Sequence, residues 1–339
     1  MNVYRFTEPF HTESGAVIEP LEIAYHTFGT LNAEGDNVVW VCHALTANSD
    51  VADWWPGTVE EGKFLDPAQW FVVCANIPGS CYGSTGPLSV NPATGRPYYG
   101  DFPPLTMRDI ARVLHQFATA IGVGRINTLV GSSVGGFQAL EWAAAHPERF
   151  DRLVLIATAA WATPWAIALD ETQRMAIRAD QSYGEPREDA GAAGLAAARA
   201  IGLLSYRGGP AYNRTQRDLP PLEPFPAHRA CSYQQHQGEK LVRRFNAYSY
   251  MSILNAFDTH NIGRQRGGIP AALSAITARA IVIGITTDLI FPPAEMRVLA
   301  EALPRAEYVE IDSDMGHDGF LVENTQLNSI LVPFMNSPL

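Results

Sequence analysis

Four short apolar runs without polar alternation, at residues 38–42, 71–74, 128–131 and 153–156, restrict this chain more than any other feature. A strand with one face in water alternates, whereas a strand covered on both faces reads as an unbroken apolar run. Helical patterns separate the runs, notably over 106–121 and 135–145. Strand and helix in turn predict an α/β chain with a mostly parallel central sheet and helices on both faces. The first thirty residues alternate instead, as in Leu21-Glu22-Ile23-Ala24-Tyr25, which predicts an antiparallel start to that sheet.

The rhythm breaks near residue 160. From there to about 275 no buried strand is legible, and helices are predicted over 165–179, 188–204 and 239–257. The first is opened by Thr163 as a cap and Pro164 at the first helical position. A stretch with four prolines, 219–226, reads as an ordered connector. Strands then resume at 280–285 and 307–311, with helices over 293–303 and 319–334. The expected organisation is one core domain, 1–160 with 276–339, interrupted by a helical lid insertion over 161–275. No internal repeat or low-complexity segment is present.

Composition narrows the function. With 47% hydrophobic and 17% charged residues in 339, a large core forms. The 24 basic and 35 acidic residues leave a net charge of −11, so no nucleic-acid partner is expected. No apolar run reaches the roughly 18 residues of a membrane span, and the first residues carry no apolar signal region. Cys42, Cys74, Cys81 and Cys231 form neither a disulfide framework nor a CxxC pair. The expectation is a reduced, cytoplasmic protein without a membrane partner.

The segment Gly131-Ser132-Ser133-Val134-Gly135-Gly136 fits G-x-S-x-G, with a predicted strand before it and a helix after it. This context makes Ser133 a candidate nucleophile, held at a sharp turn on the sheet's C-terminal edge. Serine needs a base, and the base needs an orienting acid. In chain order the acid and base follow the serine. Asp288 closes the strand 280–285, and His317 follows the strand 307–311; Asp312 and Asp314 are alternatives for the acid. An oxyanion hole needs two backbone N–H groups. Val134 supplies one, and Leu45, after the strand 38–42, is the choice for the other. His43 competes as a base, but it precedes the serine. No metal-ligand spacing or dinucleotide fingerprint appears.

Several segments resemble the homoserine O-acetyltransferase family. They are Val41-Cys42-His43-Ala44-Leu45-Thr46, Asn76-Ile77-Pro78-Gly79-Ser80-Cys81-Tyr82-Gly83, Gln138-Ala139-Leu140-Glu141-Trp142 and Gly316-His317-Asp318-Gly319. The similarity runs over nearly the whole chain. It implies an α/β-hydrolase fold and a ping-pong acyltransferase of methionine biosynthesis. The implied donor is acetyl-CoA, a co-substrate and not a bound cofactor, and the acceptor is L-homoserine. It carries Ser133, Asp288 and His317 over as nucleophile, acid and base. It also implies acceptor contacts at Arg199, Tyr206 and Asp318, and a homodimer through the lid helices. Lys240, Arg243 and Arg244, with Arg264 and Arg266, form the densest basic region and are candidates for the CoA phosphates. Val134 stands where the family commonly has methionine, so a succinyl donor or a serine acceptor remain alternatives, as does a small-ester hydrolase.

Overall fold

The unbroken apolar runs become the middle of one eight-stranded sheet in the computed structural model, which describes residues 1–220 and 227–339. Its strands are β1 (Asn2–Arg5), β2 (Glu22–Phe28), β3 (Val38–Cys42), β4 (Phe71–Ala75), β5 (Ile126–Ser132), β6 (Phe150–Ile156), β7 (Arg279–Ile285) and β8 (Ala306–Ile311). Their spatial order is β1-β2-β4-β3-β5-β6-β7-β8. Only β2 runs against the rest, pairing antiparallel with β1 and β4, so the alternating N-terminal segment does lie at an antiparallel edge.

Both faces of the sheet are covered, and this explains the missing alternation. Trp40, Leu129, Leu153 and Val282 point into one core, while their neighbours Val41, Val130, Val154 and Ile281 point into another. Helices α1 (Met107–Ala120) and α2 (Val134–Ala145) line the first face. A capping box starts α1: Thr106 Oγ1 accepts from Asp109 N–H at 3.0 Å, and Asp109 Oδ2 accepts from Thr106 N–H at 3.1 Å.

Between β6 and β7 the described residues hold helices and a single β-bridge, Trp161 to Asn261. The helices are α3 (Pro164–Ala179), α4 (Ala192–Tyr206), α5 (Gly209–Thr215), α6 (Arg229–Val242), α7 (Ala247–Asp258) and α8 (Ile269–Ser274). Ile177, Leu195, Leu241 and Tyr250 bury a small core of their own among them. Thr163 Oγ1 accepts from Ala166 N–H at the start of α3. The helix expected over 239–257 is in fact two: Asn246 Oδ1 accepts from Ser249 N–H at 2.8 Å and starts α7 afresh. Of the connector expected over 219–226, residues 221–226 lie outside the described residues.

After β7 come α9 (Pro293–Ala302), β8, α10 (Gly319–Val322) and α11 (Asn324–Asn336). The single helix expected over 319–334 is broken at Glu323. The Phe320 carbonyl that would continue it accepts instead from the Trp55 indole N–H at 2.8 Å. No helix among the described residues is long and apolar enough to cross a membrane.

Candidate active site

The parallel strands all end on one edge, and the chemically capable side chains collect just beyond those ends, as open α/β sheets arrange them. β5 ends at Ser132, and the chain turns directly into α2 with Ser133 at φ 54° and ψ −128°. A residue with a Cβ adopts that conformation only under constraint. The constraint is close backbone approach. A Cβ on Gly135 would stand 2.0 Å from the Cys42 carbonyl oxygen, and one on Gly131 would stand 2.5 Å from the Gly135 oxygen. From β6, the Ile156 carbonyl accepts Ser133 N–H at 3.0 Å, and Thr158 Oγ1 donates to the Ser133 carbonyl at 2.9 Å.

His317 lies between two oxygens. Its Nδ1–H donates to Asp288 Oδ2 at 2.7 Å, and its Nε2 accepts from Ser133 Oγ at 2.9 Å. Asp288 is buried and held by its other oxygen, which accepts from Ile290 N–H at 2.8 Å and Phe291 N–H at 3.1 Å. Burial works against a charged imidazole here. The charge and hydrogen bond of Asp288, helped by Asp318, outweigh it and raise the His317 pKa above its ordinary value. The alternative acids are occupied elsewhere: Asp314 pairs with Arg214, and Asp312 contacts Thr286.

Val134 opens α2 directly after the serine, and Leu45 follows β3. Neither backbone N–H enters a turn or loop hydrogen bond among the described residues. His43 is fully buried, with Nδ1 on the Ala44 carbonyl at 2.9 Å and Nε2 accepting from Ile77 N–H at 3.1 Å. Burial pushes its pKa down to about 4, so it is a neutral brace for the Leu45 loop. A cavity of about 360 Å³ opens at this point and is lined by Ser133, His317 and Leu45.

Residues 37–324 match the model of the alpha/beta hydrolase fold family. A homoserine O-acetyltransferase of Cyclobacterium marinum is 45% identical over 332 residues, covering 98% of this chain and 94% of that protein. The chain belongs to the homoserine O-acetyltransferase family. A crystal structure of homoserine O-acetyltransferase from Bacillus anthracis superposes with a TM-score of 0.92 at 26% identity, covering 99% of this chain and 97% of that one. Esterase E22, with a TM-score of 0.89 at 23% identity and 99% of both chains covered, shares the fold.

The acceptor residues implied by the homoserine O-acetyltransferase resemblance, Arg199, Tyr206 and Asp318, line the same cavity as Ser133. Arg199 lies over the Tyr206 ring, 5.4 Å from its centroid. Burial pushes the Tyr206 hydroxyl up to about 12, which keeps it a donor. Among the lining residues that sequence reasoning missed are Arg207 and Asp170. Arg207 Nε lies 2.9 Å from Asp318 Oδ2. Its adjacency to Tyr206 was the available signal. Asp170 is buried, with one oxygen unbonded and its pKa raised well above the usual range by burial and by Asp258.

The basic region divides. Lys240 and Arg244 line the cavity, and Arg244 donates to the Thr46 carbonyl and the Tyr82 hydroxyl, both at 2.5 Å. Arg243 does not line it; it sits 3.6 Å from Glu239 and borders a separate hollow with Glu188. Arg264 and Arg266 are also absent from the cavity, bonded to Glu13 and Glu141 at 2.6 Å each. Nearness in sequence does not survive a helix turn: Glu13 and Glu141 hold Arg264 and Arg266, and Arg243 stays exposed near Glu239.

Proposed function

We propose that this chain moves an acetyl group from acetyl-CoA to the hydroxyl of L-homoserine through an ester on Ser133, serving methionine biosynthesis. One observation carries the reading: the hydrogen-bonded series Asp288–His317–Ser133 opens into a cavity lined by both guanidinium and carboxylate groups.

His317 Nε2 takes the Ser133 proton as Oγ attacks the thioester carbonyl. The oxyanion forms against the N–H groups of Leu45 and Val134. As the C–S bond breaks, the CoA sulfur leaves and takes the proton from His317. The homoserine hydroxyl then attacks the ester, gives its proton to His317, and Ser133 Oγ recovers that proton as it departs. Arg199 and Tyr206 receive the acceptor's carboxylate, and Asp318 receives its ammonium. Lys240 and Arg244 meet the phosphates of CoA, which arrives as a co-substrate. The helices over the site keep water from the ester.

The partners are small molecules. Pairing of two copies through the helical segment is supported by Trp165, Met175 and Leu204, each more than half exposed on α3 and α4. A cytoplasmic location agrees with a substrate drawn from intracellular CoA pools.

The test is mass spectrometry of products from homoserine or serine with acetyl-CoA or succinyl-CoA. O-acetylhomoserine as the main product is expected. A succinyl or serine product would replace the donor or the acceptor. Release of free acetate that homoserine cannot divert would replace the transferase reading with an ester hydrolase.

A further inference from the structure

Helix α4 ends directly on the loop that carries His317, and the contact is backbone against backbone. A Cβ on Gly208 would stand 2.0 Å from the Asp314 carbonyl oxygen. Gly316 has φ +69°, and a Cβ there would stand 2.6 Å from Gly208 N and 2.8 Å from the Arg207 carbonyl carbon. Two glycines thus let residues 206–208 and 314–316 close with no side chain between them. Arg214 and Asp314 form an ion pair along the same seam. On its other side the loop is held by Thr287 Oγ1, which accepts Gly316 N–H at 3.0 Å.

The seam sets one charged pair against the base. Arg207 lies within this contact, and its Nε is 2.9 Å from Asp318 Oδ2, out of line for a hydrogen bond, so the pair is one of charges. Oδ2 is the Asp318 oxygen paired with Arg207, and Asp318 lines the cavity. Asp318 is almost wholly buried beside His317. Burial raises the Asp318 pKa, opposed by Arg207 just past the end of α4, by Arg199 on that helix and by His317, while Asp288 from the loop after β7 adds to the rise. A carboxylate so placed takes up a proton when its counter-charge is removed. A protonated carboxyl cannot pair with an ammonium group.

We infer that Arg207 is a positioning residue for the acceptor step: seated on the base loop by the glycine seam, it keeps Asp318 a carboxylate for the acceptor's ammonium. Acceptor binding is thereby tied to the seating of the helical segment on the His317 loop. The acceptor half of this inference rests on the reading under Proposed function. The charge-holding half does not.

Infrared difference spectra of the acceptor-free protein test that half first. Arg207→Met minus wild type is expected to show a new protonated-carboxyl band near neutral pH, and Asp318→Asn in the same background removes it. Absence of the band overturns the inference whatever the enzyme's substrate. Kinetics with acetyl-CoA and homoserine test the rest. Arg207→Met is expected to raise the homoserine KM about tenfold or more, with Arg207→Lys recovering most of the loss. In an Asp318→Asn background, Arg207→Met is expected to add nothing, since it acts through that carboxylate. Additive losses in the double variant, or equal losses in CoA release and acceptor transfer that lysine does not rescue, would overturn it. A wild-type enzyme that releases CoA but never acylates homoserine would instead sink the acceptor assignment, leaving the infrared result to stand alone.

Discussion

His317 Nε2 stands 2.9 Å from Ser133 Oγ, although 184 positions separate the two residues in the chain. The separation closes because β5 and β8 belong to one sheet, and their C-terminal ends point to the same edge. The helical segment is spliced between β6 and β7. It can therefore cover the edge without disturbing the ladder that brings the two residues together.

Ser133→Ala removes the only oxygen that accepts the acyl group in the proposed route. Turnover is expected to fall by about 10⁶, and the acetyl adduct seen by intact-protein mass spectrometry after mixing with acetyl-CoA should vanish. An adduct that persists on the alanine variant would move the nucleophile elsewhere.

The pH profile follows from the sign of the His317 shift. The base acts when neutral, and Asp288 and Asp318 raise its pKa above 6.5 against the opposing effect of burial. The rate of CoA release should therefore decline as pH falls through a midpoint above 6.5. Asp288→Asn removes the main raising charge, so its midpoint is expected lower and its kcat reduced by about 10⁴. A wild-type midpoint below 6.5 contradicts the electrostatics described.

Gly135→Ala places a methyl group 2.0 Å from the Cys42 carbonyl oxygen, where backbone and not a movable side chain must yield. A destabilisation of roughly 1–3 kcal/mol or more is expected from thermal melting. Gly124 has no heavy atom within 4 Å of such a carbon and serves as control. Its alanine variant should remain within about 0.5 kcal/mol of wild type. Equal stability of the two variants would show that the close approach does not hold the bend.

Arg199→Ala is expected to raise the homoserine KM by about tenfold or more while the acetyl-CoA KM stays near wild type. Steady-state kinetics with each substrate varied in turn separate the two. A shift confined to acetyl-CoA would assign the guanidinium to the donor.

Local physics was legible in the amino-acid order. Unbroken apolar runs meant strands covered on both faces, and Trp40 and Val41 show it by pointing into opposite cores. The glycines around Ser133 marked a turn too tight for side chains, and the Thr163-Pro164 start of α3 was visible for the same local reason. The candidate nucleophile, base and acid were nameable because Ser133 directly follows a strand and Asp288 and His317 lie in the loops that follow two others. Errors arose wherever a distant atom decides. Asn246 restarting a helix leaves a readable trace, but the Trp55 indole that takes the Phe320 carbonyl comes from 265 positions away. The Glu239–Arg243 pair, four positions apart at the end of one helix, was readable in the sequence, whereas Arg264 and Arg266 lie outside the cavity because Glu13 and Glu141 meet them only after folding. Arg207 went unnamed for the same reason. Its partner, Asp318, reaches it only through the Gly208–Gly316 seam, and charge pairing across such a seam depends on distances in space that sequence spacing does not encode.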